Sequence, residues 1–174
     1  RPEVCTGVPD PAPGSAIWVG MPAEAARLFP GEDLEFRHPE EILLLGTERH
    51  LLIAGRDRVV AGKQTEFGTA NAVYTFLQKQ LGVRWLWPGD LGEDLLPRTP
   101  LTLDPFLYRF HPPIRERLFF YPRHNIAHAG EVNRWMDRFQ RCRGSLETQS
   151  HHSFQDWSDL YFKEHPEYFG LQPD

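Results

Sequence analysis

The sequence predicts an α/β fold, a small mixed β-sheet with helices packed on it, and three features predict it. Two apolar runs, residues 41–45 (EILLL) and 51–54 (LLIA), flank the polar stretch GTERH and read as a β-hairpin. Ala70, Val73, Tyr74, Leu77 and Leu81 recur at helical spacing across residues 69–81. Thr69 stands ahead of them as an N-cap residue, and Gly82 stands where a left-handed C-cap residue belongs. Residues 83–87 (VRWLW) then read as a strand closed by Pro88-Gly89. A strand, a hairpin, a helix and a strand in that order make a mixed sheet with helices packed against it.

The remaining elements follow in chain order. Residues 1–15 are rich in Pro and Gly and read as an extended lead-in, and residues 16–20 (AIWVG) as a first strand. Residues 22–29 carry Pro22 at the front of a helix that Pro30-Gly31 breaks. Residues 56–68 are polar and read as a loop. Trp85 and Trp87 alternate on their strand, so both are expected in the core beneath helix 69–81. Residues 91–113 hold Pro97, Pro100, Pro105, Pro112 and Pro113 and read as a linker with a short strand near 101–103. Residues 114–121 (IRERLFFY) form a strand candidate. Residues 131–141 form an amphipathic helix with Val132, Trp135, Met136 and Phe139 on one face. The change of style places a domain boundary at 106/107. One strand and two helices in residues 107–174 cannot bury a core alone, so the second unit is expected to be the beginning of a larger domain.

Composition narrows the function classes. The net charge of −5 gives no electrostatic footprint for a nucleic-acid partner. No apolar run reaches the roughly 18–20 residues that span a bilayer. The two cysteines, Cys5 and Cys142, lie far apart and in no zinc-type spacing, so thiols rather than a bridge or a metal site are expected. The chain begins at Arg1 rather than Met, in keeping with a removed export leader.

The segment GTANAVYTFLQKQLGVRWLWPGD, residues 68–90, resembles the N-terminal domain of α-glucuronidases and the matching domain of β-N-acetylhexosaminidases. It also resembles bacterial proteins carrying the domain of unknown function 4838, some of which are endo-β-N-acetylglucosaminidases. The runs AIWVG and HLLIAG are similar to other landmarks of that N-terminal domain, so the resemblance covers about residues 15–105. In the tail, HHSF (151–154) followed by YFKEHPEYFGL (161–171) looks like the opening of the 4838-type domain, and NRWMDRF (133–139) is similar to the segment just ahead of it. The resemblance implies an accessory α/β domain over residues 1–106. It implies the incomplete start of a catalytic-type (β/α)8 barrel over 107–174, with the chemistry on loops after later strands. It further implies a secreted, periplasmic or cell-surface glycoside-hydrolase-like protein with a carbohydrate substrate and no cofactor. The accessory domain would pack on its own C-terminal barrel.

Glycosidic cleavage needs two carboxyl groups, or one and a substrate acetamido group. Asp137, Glu147, Asp156, Asp159, Glu164 and Glu167 show no setting that marks them as that pair, so the catalytic residues are expected outside this chain. The substrate-binding candidates are Arg123, His124, His151 and His152. Arg117 and Arg123 flank a segment, RLFFYPRH, loosely similar to the hexosaminidase strand whose arginine forks onto sugar hydroxyls. The alternative is an arginine paired with a carboxylate. His151 and His152 beside Phe154 suit sugar contact, structural hydrogen bonding, or metal binding with Asp156 or His165. Adjacent histidines chelate poorly together, and Pro122 and Gly130 argue against a helix carrying His124 and His128, so no metal site is expected. Two rival readings stand beside the glycosidase one: a carbohydrate-binding or scaffolding module without catalysis, and a metal-dependent hydrolase.

Overall fold

The computed structural model describes residues 4, 6, 14–95, 102–114, 116–117, 128–142 and 156–170. Its contacts divide the chain into one unit over 1–144 and a second over 145–174.

The first unit is built on a four-stranded sheet in the order β1-β3-β2-β8. Strand β1 is Ala16–Val19, β2 Ile42–Gly46, β3 His50–Gly55 and β8 Phe106–Phe110. The apolar hairpin forms as expected, β2 antiparallel to β3 with Leu44 opposite Ile53. β1 joins β3 in parallel, which makes the sheet mixed. The fourth strand is not the one expected near 101–103. It is Phe106–Phe110, antiparallel to β2 with Leu44 opposite Tyr108. The sheet therefore runs across the boundary drawn at 106/107, and the contact division falls after Gly144 instead.

Strand periodicity explains why β2 is apolar at nearly every position. Leu43 and Leu45 join Trp18, Phe29, Leu52 and Ala54 on one face of the sheet. Ile42 and Leu44 join Leu51, Ile53, Ala72 and Phe76 on the other. A strand covered on both faces has no polar side to present. Each fully buried Leu here contributes about 1.5–3 kcal/mol relative to exposure.

Helix α2, Gly68–Gln80, covers the second face. Its start differs from the expected Thr69 cap. Phe67 is the N-cap residue and makes no side-chain cap bond. The Thr69 hydroxyl instead donates to the Gly55 carbonyl (3.2 Å), and Asp57 Oδ1 accepts from the Thr69 amide (3.2 Å). Glycine is required at 55 and 68 because a Cβ on either would collide with the backbone at the other. The end is as expected: Gly82 is left-handed at φ 73°. The buried face is rotated from the expected one. Asn71, Ala72, Thr75 and Phe76 are buried, and Ala70 is exposed. The reason is a third apolar layer. Val83, Trp85, Val132, Trp135, Met136 and Cys142 pack on the other side of α2, against Tyr74, Leu77 and Leu81. A helix held between two layers spreads its apolar positions over two seams. Thr75 tolerates burial because its hydroxyl donates to the Asn71 carbonyl at 2.7 Å.

The third layer contains helix α3, Ala129–Arg134, continued by a π-turn over Trp135–Phe139. Val132, Trp135 and Met136 are buried and Phe139 partly so, as the amphipathic reading expects. The wider turn is closed by the Gln140 amide donating to the Trp135 carbonyl at 2.9 Å. Trp85 is the hub: its ring stacks on Phe139 (4.4 Å between centroids), and its carbonyl accepts from Trp135 Nε1 and Gln140 Nε2. Trp87 is not beneath the helix. Only Arg84–Trp85 form a strand, β6, paired with β7 at Glu93–Asp94. The chain then folds back through Gly89 (φ 86°), leaving Trp87 49% exposed.

Two short elements complete the unit. The helix expected over 22–29 is a single turn, α1, Ala25–Leu28, ended by the Phe29 amide bonding to the Ala25 carbonyl. The stretch expected as a loop at 56–68 is a hairpin, β4 (Asp57–Val60) and β5 (Lys63–Phe67). Its two-residue turn, Ala61-Gly62, has positive φ at both positions, 49° and 78°, which suits the right-handed twist of paired strands.

The second unit contains helix α4, Trp157–Tyr161, and a 3-10 turn at Pro166–Tyr168. Its aromatic side chains contact one another: Trp157 meets Tyr161 edge-on at 5.9 Å, and His165 stacks on Tyr168 at 4.6 Å.

Candidate functional site

The substrate-binding candidates Arg123, His124, His151 and His152 lie outside the described residues, as do Phe154, Glu147 and Cys5. The other residues weighed from the sequence have defined settings. Asp137, Asp156, Asp159, Glu164 and Glu167 are exposed, and Glu167 holds His165 Nδ1 at 3.0 Å. His128 sits 3.5 Å from Glu131. Cys142 is buried in the third layer. Among the described residues no group of His, Cys, Asp and Glu has metal-binding geometry, and no helix is long and apolar enough to cross a membrane.

The polar centre of the first unit forms around two consecutive glutamates at the entrance to β2. Glu40 has φ 53°, a left-handed conformation disfavoured for a residue with a Cβ. Its amide is held by Glu66 Oε2 at 3.1 Å. Glu66 is in turn 3.2 Å from Arg56 Nε. The carboxylate of the buried Glu40 lies 2.5 Å from Arg117 Nη2 and accepts from Asn71 Nδ2 at 3.4 Å. Arg117 also donates to the Arg141 carbonyl (3.2 Å) and the Ile114 carbonyl (2.8 Å). Arg117 is thus a carboxylate-paired arginine that ties the chain after the sheet back to its start.

Glu41 diverges toward β8. One carboxylate oxygen accepts from the amides of Arg37 (2.7 Å) and His38 (2.8 Å), and the other from Arg109 Nη1 (2.5 Å). Burial pushes the Glu41 carboxyl up, but Arg109 and those two amides outweigh it and hold the group below the ordinary carboxylate range. Arg109 also donates to the carbonyls of Asp33 and Glu35, so one side chain from β8 pins the whole segment ahead of β2.

Beside Glu40 a cavity of about 270 Å³ opens between the end of the sheet, α2 and the turn after the π-helix. Arg141 lines it, with φ 54°. Its Nη2 donates to Gln78 Oε1 at 2.6 Å. Neither Glu40, Asn71 nor Arg141 stands out in the sequence. The available signal was two carboxylates adjoining an unbroken apolar strand, a place where charge is expensive unless paired.

No family model, no curated protein and no solved structure matches this chain.

Proposed function

We propose that this chain is the N-terminal part of a glycoside-hydrolase-like protein acting on complex glycans or polysaccharides outside the cytoplasm, with its accessory α/β domain in the first part and its barrel beginning in the second. The observation that carries the reading is the segment 68–90, which resembles the N-terminal domain of glycan-processing enzymes. Its residues serve stability: α2 bridges two core layers and Trp85 anchors the third. The buried carboxylates Glu40, Glu41 and Glu66 are each ion-paired to an arginine, which favours an accessory role over acid/base work for the first unit.

The test compares this chain with the complete product of its gene on chitooligosaccharides, N-glycans and glucuronoxylan, measuring released reducing ends. The chain alone should release none, and the complete product should cleave at least one substrate. Turnover by the 174-residue chain would overturn the accessory assignment. A complete product that binds glycans but cleaves none would replace the enzyme reading by that of a binding module.

A further inference from the structure

Among the described residues that line the cavity beside Glu40, cationic side chains outnumber carboxylates. Arg117 and Arg141 bring two guanidinium groups to it, and Glu40 brings one carboxylate. Glu40 is paired with Arg117. Arg141 bonds the neutral Gln78, and its Nε–H is buried with no hydrogen-bond partner among the described residues. The hydrogen-bond contact of the Arg141 guanidinium among the described residues is thus with a neutral amide oxygen rather than a carboxylate, and a buried cation left without a counter-charge is costly. Burial pushes the Arg141 pKa down, Tyr108 opposes this, and Arg117 adds to it, the direction expected of a cation short of negative charge.

Much of the remaining wall is apolar: Ile42, Phe110 and Ile114, with Pro112 and Pro113. A bare inorganic anion would leave that surface wet. A volume of about 270 Å³ accommodates one ring with a carboxyl group and lies just under the usual size of small-molecule sites. We propose that this cavity binds a small organic carboxylate, its charge compensating Arg141 and its ring-sized body covering the apolar wall. The inference stands on the cavity and does not require the glycan reading. Two kinds of ring meet its chemistry, an apolar one and a polyol, and the probes separate them.

Isothermal titration of the whole chain with benzoate, benzamide, D-glucuronate and D-glucose is the experiment. At least one acid should bind about tenfold or more tightly than its neutral counterpart, the scale of one charge-assisted hydrogen bond. Benzoate alone would identify an apolar ring, and glucuronate alone a polyol. Arg141→Gln should remove the preference for the acid, and Arg141→Lys should keep part of it. Ile114→Trp, a change at an exposed position, should block the cavity without disturbing the core. The inference fails if neither acid binds, if acid and neutral probe bind alike, or if a folded Ile114→Trp chain binds as wild type does. A chain that binds oligosaccharides but neither acid sinks this inference and leaves the glycan reading. A chain that binds benzoate supports this inference, while a complete gene product that neither binds nor cleaves any glycan sinks the glycan reading and leaves this one.

Discussion

Replacing Glu41 by Gln isolates the charge of a buried carboxylate while keeping its size. Glu41 is 2% exposed and accepts three hydrogen bonds, all from donors. A glutamine amide offers one acceptor oxygen and turns an NH2 toward one donor set, so either the Arg37 and His38 amides or Arg109 lose their acceptor. Removing one partner of a buried pair costs roughly 3–5 kcal/mol. The low end applies, about 3 kcal/mol, because the Arg109 side chain is 26% exposed and keeps its bonds to the Asp33 and Glu35 carbonyls. For a unit of this size that corresponds to a fall in Tm of roughly 6–12 °C. The pH dependence has a definite sign. The folded pKa of Glu41 lies below its unfolded value, so its stabilisation is complete above the unfolded pKa and is lost as pH falls through the folded one. Wild type and Glu41→Gln should therefore differ fully at neutral pH and converge under acid. Urea denaturation followed by circular dichroism from pH 7 down to about pH 3 measures the gap. Leu52→Ala, a cavity in the fully buried sheet core, serves as the control whose deficit stays constant with pH. A gap that persists unchanged at low pH, or is absent at pH 7, would refute the assignment of Glu41 as a charged tether.

Two further outcomes follow from the packing. Trp85→Ala should destabilise the first unit by about 3–5 kcal/mol, as for other buried aromatics, whereas Trp87→Ala should change stability by less than about 0.5 kcal/mol; equal losses in a thermal melt would place both rings in the core after all. Ala61→Asn should stabilise by about 0.5 kcal/mol, because Ala61 holds φ 49° in a two-residue hairpin turn that asparagine tolerates better; a lower Tm for this variant would contradict that turn geometry.

Much of the central architecture was legible because its signals are local. The runs EILLL and LLIA pair as read, β1 forms at 16–19, and the patterns at 69–81 and 131–141 fold as helices within a residue or two at most ends. The β4–β5 hairpin escaped because both strands are mostly exposed and carry no apolar alternation. Its one clue was the Ala-Gly pair between them. Glu40 and Arg117 meet across 77 residues of sequence, and no periodicity marks such a pair.

The sequence by itself therefore determined an α/β unit: an apolar hairpin and a glycine-ended helix. Period-2 and period-3.6 patterns encode those elements wherever the rest of the chain goes. Only the tertiary structure decided which faces are buried. The layer containing Trp135 and Met136 turned α2 into a helix with two packed sides. The turn at Gly89 put Trp87 into solvent. The convergence of Glu40, Arg117 and Arg141 made a charged cavity from residues that are unremarkable in sequence. Burial and charge pairing depend on which neighbours arrive from elsewhere in the chain, and that is a property of the assembled fold.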